Sequence, residues 1–160
     1  MVGVLAPQMN LVELFINDKP QGIYHEVEHI DESFLRKNKL MPVNIYKGEQ
    51  TNRERQIMIS SELFDNPGLW SKISNYNANK ETDFSDLEYV LSLIYQAETS
   101  DSSLLLLKRV ARYEDWALFS AFQTLIQSWH NSGVGNMRLT IDPWSGSILP
   151  IVHDTLSLQP

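Results

Sequence analysis

The chain has 160 residues, with 13 Lys and Arg against 20 Asp and Glu for a net charge of −7, 42% hydrophobic residues and no cysteine. That is the make-up of one ordinary globular domain, and it excludes disulfide staples, thiolate catalysis and Cys-ligated metals. The acidic balance argues against nucleic acid as a partner, no apolar run approaches the roughly 20 residues of a membrane span, and the opening MVGVLAPQMN has neither a basic leader nor the apolar stretch of a secretory signal.

Leu11 to Asn17 alternates as a strand does, with Val12, Leu14 and Ile16 on one face. Asp18-Lys19-Pro20-Gln21-Gly22 reads as a turn and Ile23 to Ile30 alternates again, so the two segments predict an antiparallel hairpin. A brief helix over Glu32 to Lys37 and a short strand over Val43 to Lys47 follow. Asn66 to Trp70 is turn chemistry entering a short helix, and the polar stretch Asn75 to Asp83 reads as a mobile loop. Ser85-Asp86-Leu87-Glu88 has the form of a capping box ahead of Leu87, Val90, Leu91, Ile94 and Tyr95 at helical spacing.

Leu104 to Leu107 is an apolar run that ends on Lys108 and Arg109, cations suited to a helix C-terminus. Trp116, Phe119, Phe122, Ile126 and Trp129 predict one stripe of a longer helix, read as core rather than as an aromatic binding surface. Asn136 to Ile141 and Ser147 to Val152 flank Asp142-Pro143-Trp144-Ser145-Gly146 and predict a second hairpin. Strands, then helices, then a hairpin make an α+β layout, and no internal repeat is evident.

The second hairpin carries the chemistry. Centred on Ser145, it sets Asn136 opposite Asp154 at its open end. An amide oxygen beside a carboxylate is a half-site for Mg²⁺, which takes one or two protein oxygens and fills its shell with water and phosphate; protein kinases hold Mg²⁺ with the same residue pair. The alternative is a hairpin whose open end merely has polar caps. His130 and His153 fall near the same end, but no close spacing links them as metal ligands, and His130 reads better as a phosphate contact. His25 and His29 have a spacing that stacks two imidazoles only on a helix; on a strand they stand about 13 Å apart. Glu26, Glu28 and Asp31 form an acidic cluster, for which a solvated strand face is the ordinary explanation. The basic group Arg36, Lys37 and Lys39 sits at a helix end, and no Gly-rich phosphate loop or hydrolase motif is present.

Taken together, LVELFINDKPQGIYHEVEHIDESF over Leu11 to Phe34 resembles the N-lobe core of the spore-coat CotH kinase-like family. The family's positions are filled here by Ile16-Asn17, Gly22, Tyr24, Glu28, Ile30-Asp31 and Phe34-Leu35, and Ile45-Tyr46-Lys47-Gly48 is similar to the short Tyr-Lys strand that follows. Asn136-Met137-Arg138-Leu139, Asp142-Pro143, Gly146, Pro150 and Asp154 resemble the family's ending. The resemblance implies an atypical protein-kinase fold using ATP and Mg²⁺ to phosphorylate Ser or Thr of a protein substrate. It implies Asp154 as the metal-binding aspartate, Asn136 as its metal partner and Glu28 at the connector near the nucleotide. The expected domain is a single partial one over 1–160. Its later N-lobe strands run to about residue 50, and the connector and first part of a helical C-lobe run from about 51.

The sequence also departs from that pattern. The family usually has an aspartate a few residues before the Asn136 position, yet from Ser120 to Ile141 there is no Asp or Glu, and His130-Asn131-Ser132-Gly133-Val134-Gly135 occupies the stretch. Loss of a general base typically removes about 10²–10⁴ in rate. His153-Asp154-Thr155-Leu156 lacks the second acidic residue that often follows. On this resemblance the chain begins downstream of the family's phosphate-binding lysine and stops short of the rest of the C-lobe. Two readings follow: a segment of an active CotH-type kinase, or a catalytically inactive kinase-like module that binds a spore-coat or surface protein. A hydrolase built on the acidic cluster and His130 has no motif behind it. Apolar surface left uncovered, with Leu104 to Leu107 as one candidate, leads to an expectation of self-association.

Overall fold

The structure, a computed structural model, describes residues 3–49, 62–74, 81–128 and 135–153. It is α+β, with two antiparallel sheets and, among the described residues, four helices. The first sheet is the hairpin of β1 (Met9–Ile16) and β2 (Lys19–Val27). Its turn is tighter than the sequence suggests. Asn17 and Asp18 alone close it, with φ of 51° and 61°, the left-handed pair of a type I′ turn, whose twist matches that of the strands. Pro20 therefore lies inside β2 opposite Phe15, and the register slips by one residue between Leu14 and Phe15. Gly22, at φ of 107°, takes up that irregularity. Nothing described covers the ribbon: Leu11 is 70% and Ile23 75% exposed, and Val12, Leu14 and Ile16 do not form a buried face.

Helix α1 (Glu32–Lys37) follows as predicted, because the Asp31 carboxylate accepts from the N–H groups of Ser33 (2.8 Å) and Phe34 (3.1 Å). The chain then enters the second sheet. Its order is β4 (Trp70–Lys72), β3 (Ile45–Gly48), β5 (Met137–Asp142) and β6 (Ser147–Ile151), all antiparallel. Trp70 thus opens a strand rather than a helix, after two single-turn 3₁₀ segments at Leu63–Asp65 and Pro67–Leu69. Gly48 sits where a Cβ would come within 2.9 Å of Leu63 Cδ1 and 3.0 Å of the Trp70 ring, so only glycine lets the indole close over the strand.

Alternation along the sheet divides the core. One face buries Ile45 and Ile151 with Phe34 and Leu35 of α1. The other buries Tyr46, Leu139, Ile141 and Ile148 under α2 (Ser85–Ala97), through Leu87, Val90 and Leu91, and under α4 (Tyr113–Leu125), through Phe119. Each fully buried aliphatic side chain of this kind stabilises the fold by about 1.5–3 kcal/mol. The Trp116 indole donates to the Ile148 carbonyl at 2.9 Å and fixes α4 to β6. Helix α3 (Asp101–Val110) buries no residue, and Leu104, Leu105 and Leu106 stand exposed. The chain's opening is tied in as well: Leu5 bridges Ile151 in parallel and its carbonyl accepts from the Val152 N–H at 2.7 Å.

The helix ends differ from expectation. The predicted capping box does not form: Phe84 is the N-cap of α2, and the Asp83 carboxylate accepts from the Ser85 N–H at 3.0 Å instead. Tyr95 faces solvent rather than core. Helix α4 stops at Leu125, before Ile126, because Gln127 turns left-handed at φ of 53°; the Ser128 N–H then reaches the Gln123 carbonyl and the Gln127 N–H that of Thr124. Trp129 and residues 75–80 of the predicted loop lie outside the described residues. Among the described residues no helix is long and apolar enough to cross a membrane.

Candidate functional site

At the foot of the first ribbon, Glu28 is a fastening point. Its Oε2 accepts from the Gln8 N–H at 2.9 Å and its Oε1 pairs with Lys37 Nζ at 3.0 Å, while the same ammonium donates to Gln8 Oε1 at 2.7 Å. The Gln8 N–H foremost, and then Lys37, hold the Glu28 carboxyl below the usual carboxylate range. Glu28 thus joins β1, the end of β2 and α1 at the junction between the two sheets. The acidic cluster resolves into three separate jobs. Glu28 makes this clamp, Asp31 caps α1, and Glu26 accepts from the Asn10 side chain across the ribbon at 3.3 Å. His25 stays on β2 opposite Leu11, and His29, beyond the strand, lies 3.6 Å from Asp31.

The open end of the second hairpin departs from the sequence arithmetic by one residue. Arg138 pairs with Ile151 and Asp142 with Ser147, around a four-residue turn centred between Trp144 and Ser145 rather than on Ser145. Continued two residues past Arg138 and Ile151, that register sets Asn136 level with His153. Asn136 holds φ of 54°, a left-handed conformation that asparagine tolerates better than most residues. Asp154, His130 and Asn131 lie outside the described residues. Among the described residues no group of three or more His, Asp or Glu side chains is placed to hold a metal ion.

Two residues beyond Asn136, sequence reading overlooked a cationic pair. Buried Arg138 and half-buried Lys47 are register partners on β5 and β3, and both turn to Glu49 Oε1, at 3.7 Å and 2.6 Å. The signal was present in the sequence: an arginine inside the otherwise uncharged run NMRLTI. In donor type, an amide oxygen such as that of Asn136 would suit a divalent metal ion, which asks for further oxygen ligands beside it.

A second polar centre lies on the opposite face. Asp86, in the first turn of α2, accepts from Asn44 Nδ2 at 2.8 Å, from Tyr46 Oη at 2.5 Å and from the Leu87 N–H at 2.9 Å. Burial foremost, and then the bond to Asp86, push the Tyr46 phenol well above its ordinary value, so it remains a proton donor. Lys72 Nζ stands 5.8 Å from the Tyr46 ring centre and 5.6 Å from that of Phe84, and it donates to the Asp83 carbonyl. Position in the sequence had marked Asp86 only as part of a cap.

No curated protein matches the chain. The family model described as CotH kinase protein matches residues 1–145, which takes in both sheets as far as the β5–β6 turn and includes Glu28 and Asn136, whereas Asp154 lies beyond it. With that match spanning most of its length, the chain belongs to the CotH kinase protein family.

Proposed function

We propose that the chain is a segment of a CotH-type protein kinase that, in the intact protein, phosphorylates Ser or Thr hydroxyls of a protein substrate with ATP and Mg²⁺. In this reading residues to about 50 are the later N-lobe strands, and about 51–160 are the connector and first part of the C-lobe, with β3 hydrogen-bonding across that division to β5. Asn136 and Asp154 hold the metal through their side-chain oxygens, and Glu28 stands at the connector beside the nucleotide. The observation that carries the reading is the neighbourhood of Asn136: it lies inside the family match, directly before β5, level with the residue that precedes Asp154 and two residues from a buried arginine.

Bound magnesium would neutralise charge on the transferred phosphate. The chain's own residues would orient it. Asn136, fixed by the start of β5, would present one oxygen; Arg138, two residues on, and its register partner Lys47, both paired with Glu49, would be the cations at hand for phosphate oxygens. Calorimetric titration of the chain with Mg²⁺ and ATP tests this. Asp154→Ala is expected to weaken metal-dependent binding by at least about tenfold, the loss of one charged contact. Unchanged binding in that variant removes Asp154 from the site.

A second reading has its own observation. From Ser120 to Ile141 the sequence offers no carboxylate to accept the substrate proton, which favours a catalytically inactive kinase-like module that acts as a binding surface for a spore-coat or surface protein. Transfer of labelled phosphate from ATP to dephosphorylated casein by the full-length protein separates the two, since robust turnover rules the inactive module out.

A further inference from the structure

Between the start of α2, the end of α3 and the β5–β6 turn runs a groove of about 440 Å³, within the size range of pockets that take small ligands. Its floor is aliphatic, from Val43, Val90, Val110 and Ile141, and Tyr89, itself more than half exposed, forms part of the rim. Asp86 is the one charged side chain among the described residues that line it.

The walls are preformed. The hydrogen bonds from Asn44 and Tyr46 to Asp86 hold α2 against β3 and the residue before it. The turn is braced by Asp142, which accepts from the Trp144 N–H at 3.1 Å and from Ser145 Oγ at 2.6 Å; its Pro143 and Gly146 line the groove. A carboxylate has about four acceptor directions, and Asp86 uses three, all on uncharged donors. It therefore retains one for a guest and meets that guest without a competing salt bridge. The groove asks for an apolar body with one cationic hydrogen-bond donor.

We propose that this groove docks an extended peptide segment in which Arg or Lys is flanked by aliphatic residues. The cation meets Asp86, the aliphatic side chains lie on the valine–isoleucine floor, and Tyr89 at the rim covers them. A free amine alone would leave the floor unfilled, and an acidic or purely apolar segment would leave Asp86 facing no donor; charge complementarity selects the basic one. Along β5 the groove's Ile141 lies about 17 Å from Asn136, five residues at about 3.3 Å each. The proposal therefore stands without the phosphotransfer reading, and its test needs neither nucleotide nor metal.

Fluorescence anisotropy with two labelled heptapeptides, one centred on Leu-Arg-Leu and the other on Leu-Glu-Leu, reads it directly. The basic peptide is expected to bind about tenfold or more tightly than the acidic one, a preference that shrinks with added salt. Asp86→Asn, which keeps an acceptor for Tyr46, should abolish the preference. Tyr89→Ala, a surface change, should weaken binding of the basic peptide several-fold while the melting temperature holds. Equal binding of the two peptides, or binding unmoved by Tyr89→Ala in a folded protein, overturns the proposal.

Discussion

Tyr46, at the centre of the second sheet, donates its phenolic proton to Asp86 at the head of α2 across 2.5 Å. The bond joins β3 to the helix above it where the tyrosine has no solvent exposure at all. Tyr46→Phe leaves Asp86 short of one donor and opens a void the size of a hydroxyl, for a loss of about 1–3 kcal/mol. Chemical denaturation measures it. The pH dependence follows from the raised phenol: the folded protein holds the proton more tightly than the unfolded chain. The contribution is therefore complete below the ordinary value of 10.0 and is lost as pH climbs above it. The phenylalanine variant should lack that alkaline component.

Glu28 works in the opposite direction. Its carboxyl is held below the ordinary 4.5, so its contribution is present above that value and disappears as pH falls through the lower folded one. Glu28→Gln should flatten the acid limb of the stability profile. Asp83, held down by the Ser85 hydroxyl and then the Ser85 N–H, acts in the same direction from its own lower ordinary value of 3.8, and Asp83→Asn should flatten the most acidic part of that limb.

Asn136 offers a way to separate backbone from side chain. Glycine tolerates its left-handed φ of 54° at no steric cost. Asn136→Gly should thus retain the melting temperature within a few degrees of the original while metal-dependent nucleotide binding is lost. Retained binding in that variant removes the amide from the site.

Gly48→Ala forces a methyl group against Leu63 and the Trp70 ring. Overpacking of this order destabilises by about 1–3 kcal/mol. Thermal unfolding checks it, and a variant as stable as the original contradicts the close packing described.

The first ribbon invites self-association. Strand β1 carries one charge, Glu13, with neither lysine nor proline to guard its edge, and Leu11, Phe15 and Ile16 stand exposed beside Ile23 and Val27 of β2. Sedimentation velocity is expected to depend on concentration, and a Leu11→Lys, Ile23→Lys double variant should sediment as a monomer. A monomer across the whole concentration range in the original chain contradicts this.

Local signals carried a good part of this structure. Alternation announced β1 and β2, turn residues announced the second hairpin, and the spacing of Leu87, Val90 and Leu91 announced the buried side of α2. Competing local signals misled elsewhere. Pro20 and Gly22 are louder turn residues than Asn17 and Asp18, yet the shorter turn wins because its left-handed pair suits the strand twist. The four-residue β5–β6 turn shifts the register by one, a difference that no count of residues between strands reveals. What the sequence hides is non-local. The pairing of β3 with β5 joins residues 89 to 95 positions apart and brings about the Lys47–Glu49–Arg138 contact, and Asp86 meets Asn44 and Tyr46 across 42 and 40 positions. Such partners are chosen by the packed core, not by their neighbours in the chain.

Among the described residues the first ribbon is gripped at its foot, by the Gln8–Glu28–Lys37 clamp and the Leu5 tether to β6. Eight residues of β1 make it a lever about 27 Å long, so a pivot of only 10° at the clamp swings the Asn17–Asp18 tip by roughly 5 Å. Whatever grasps that tip gains a mechanical handle on the junction between the sheets, and loosening Lys37 from Glu28 is the simplest way to release the catch.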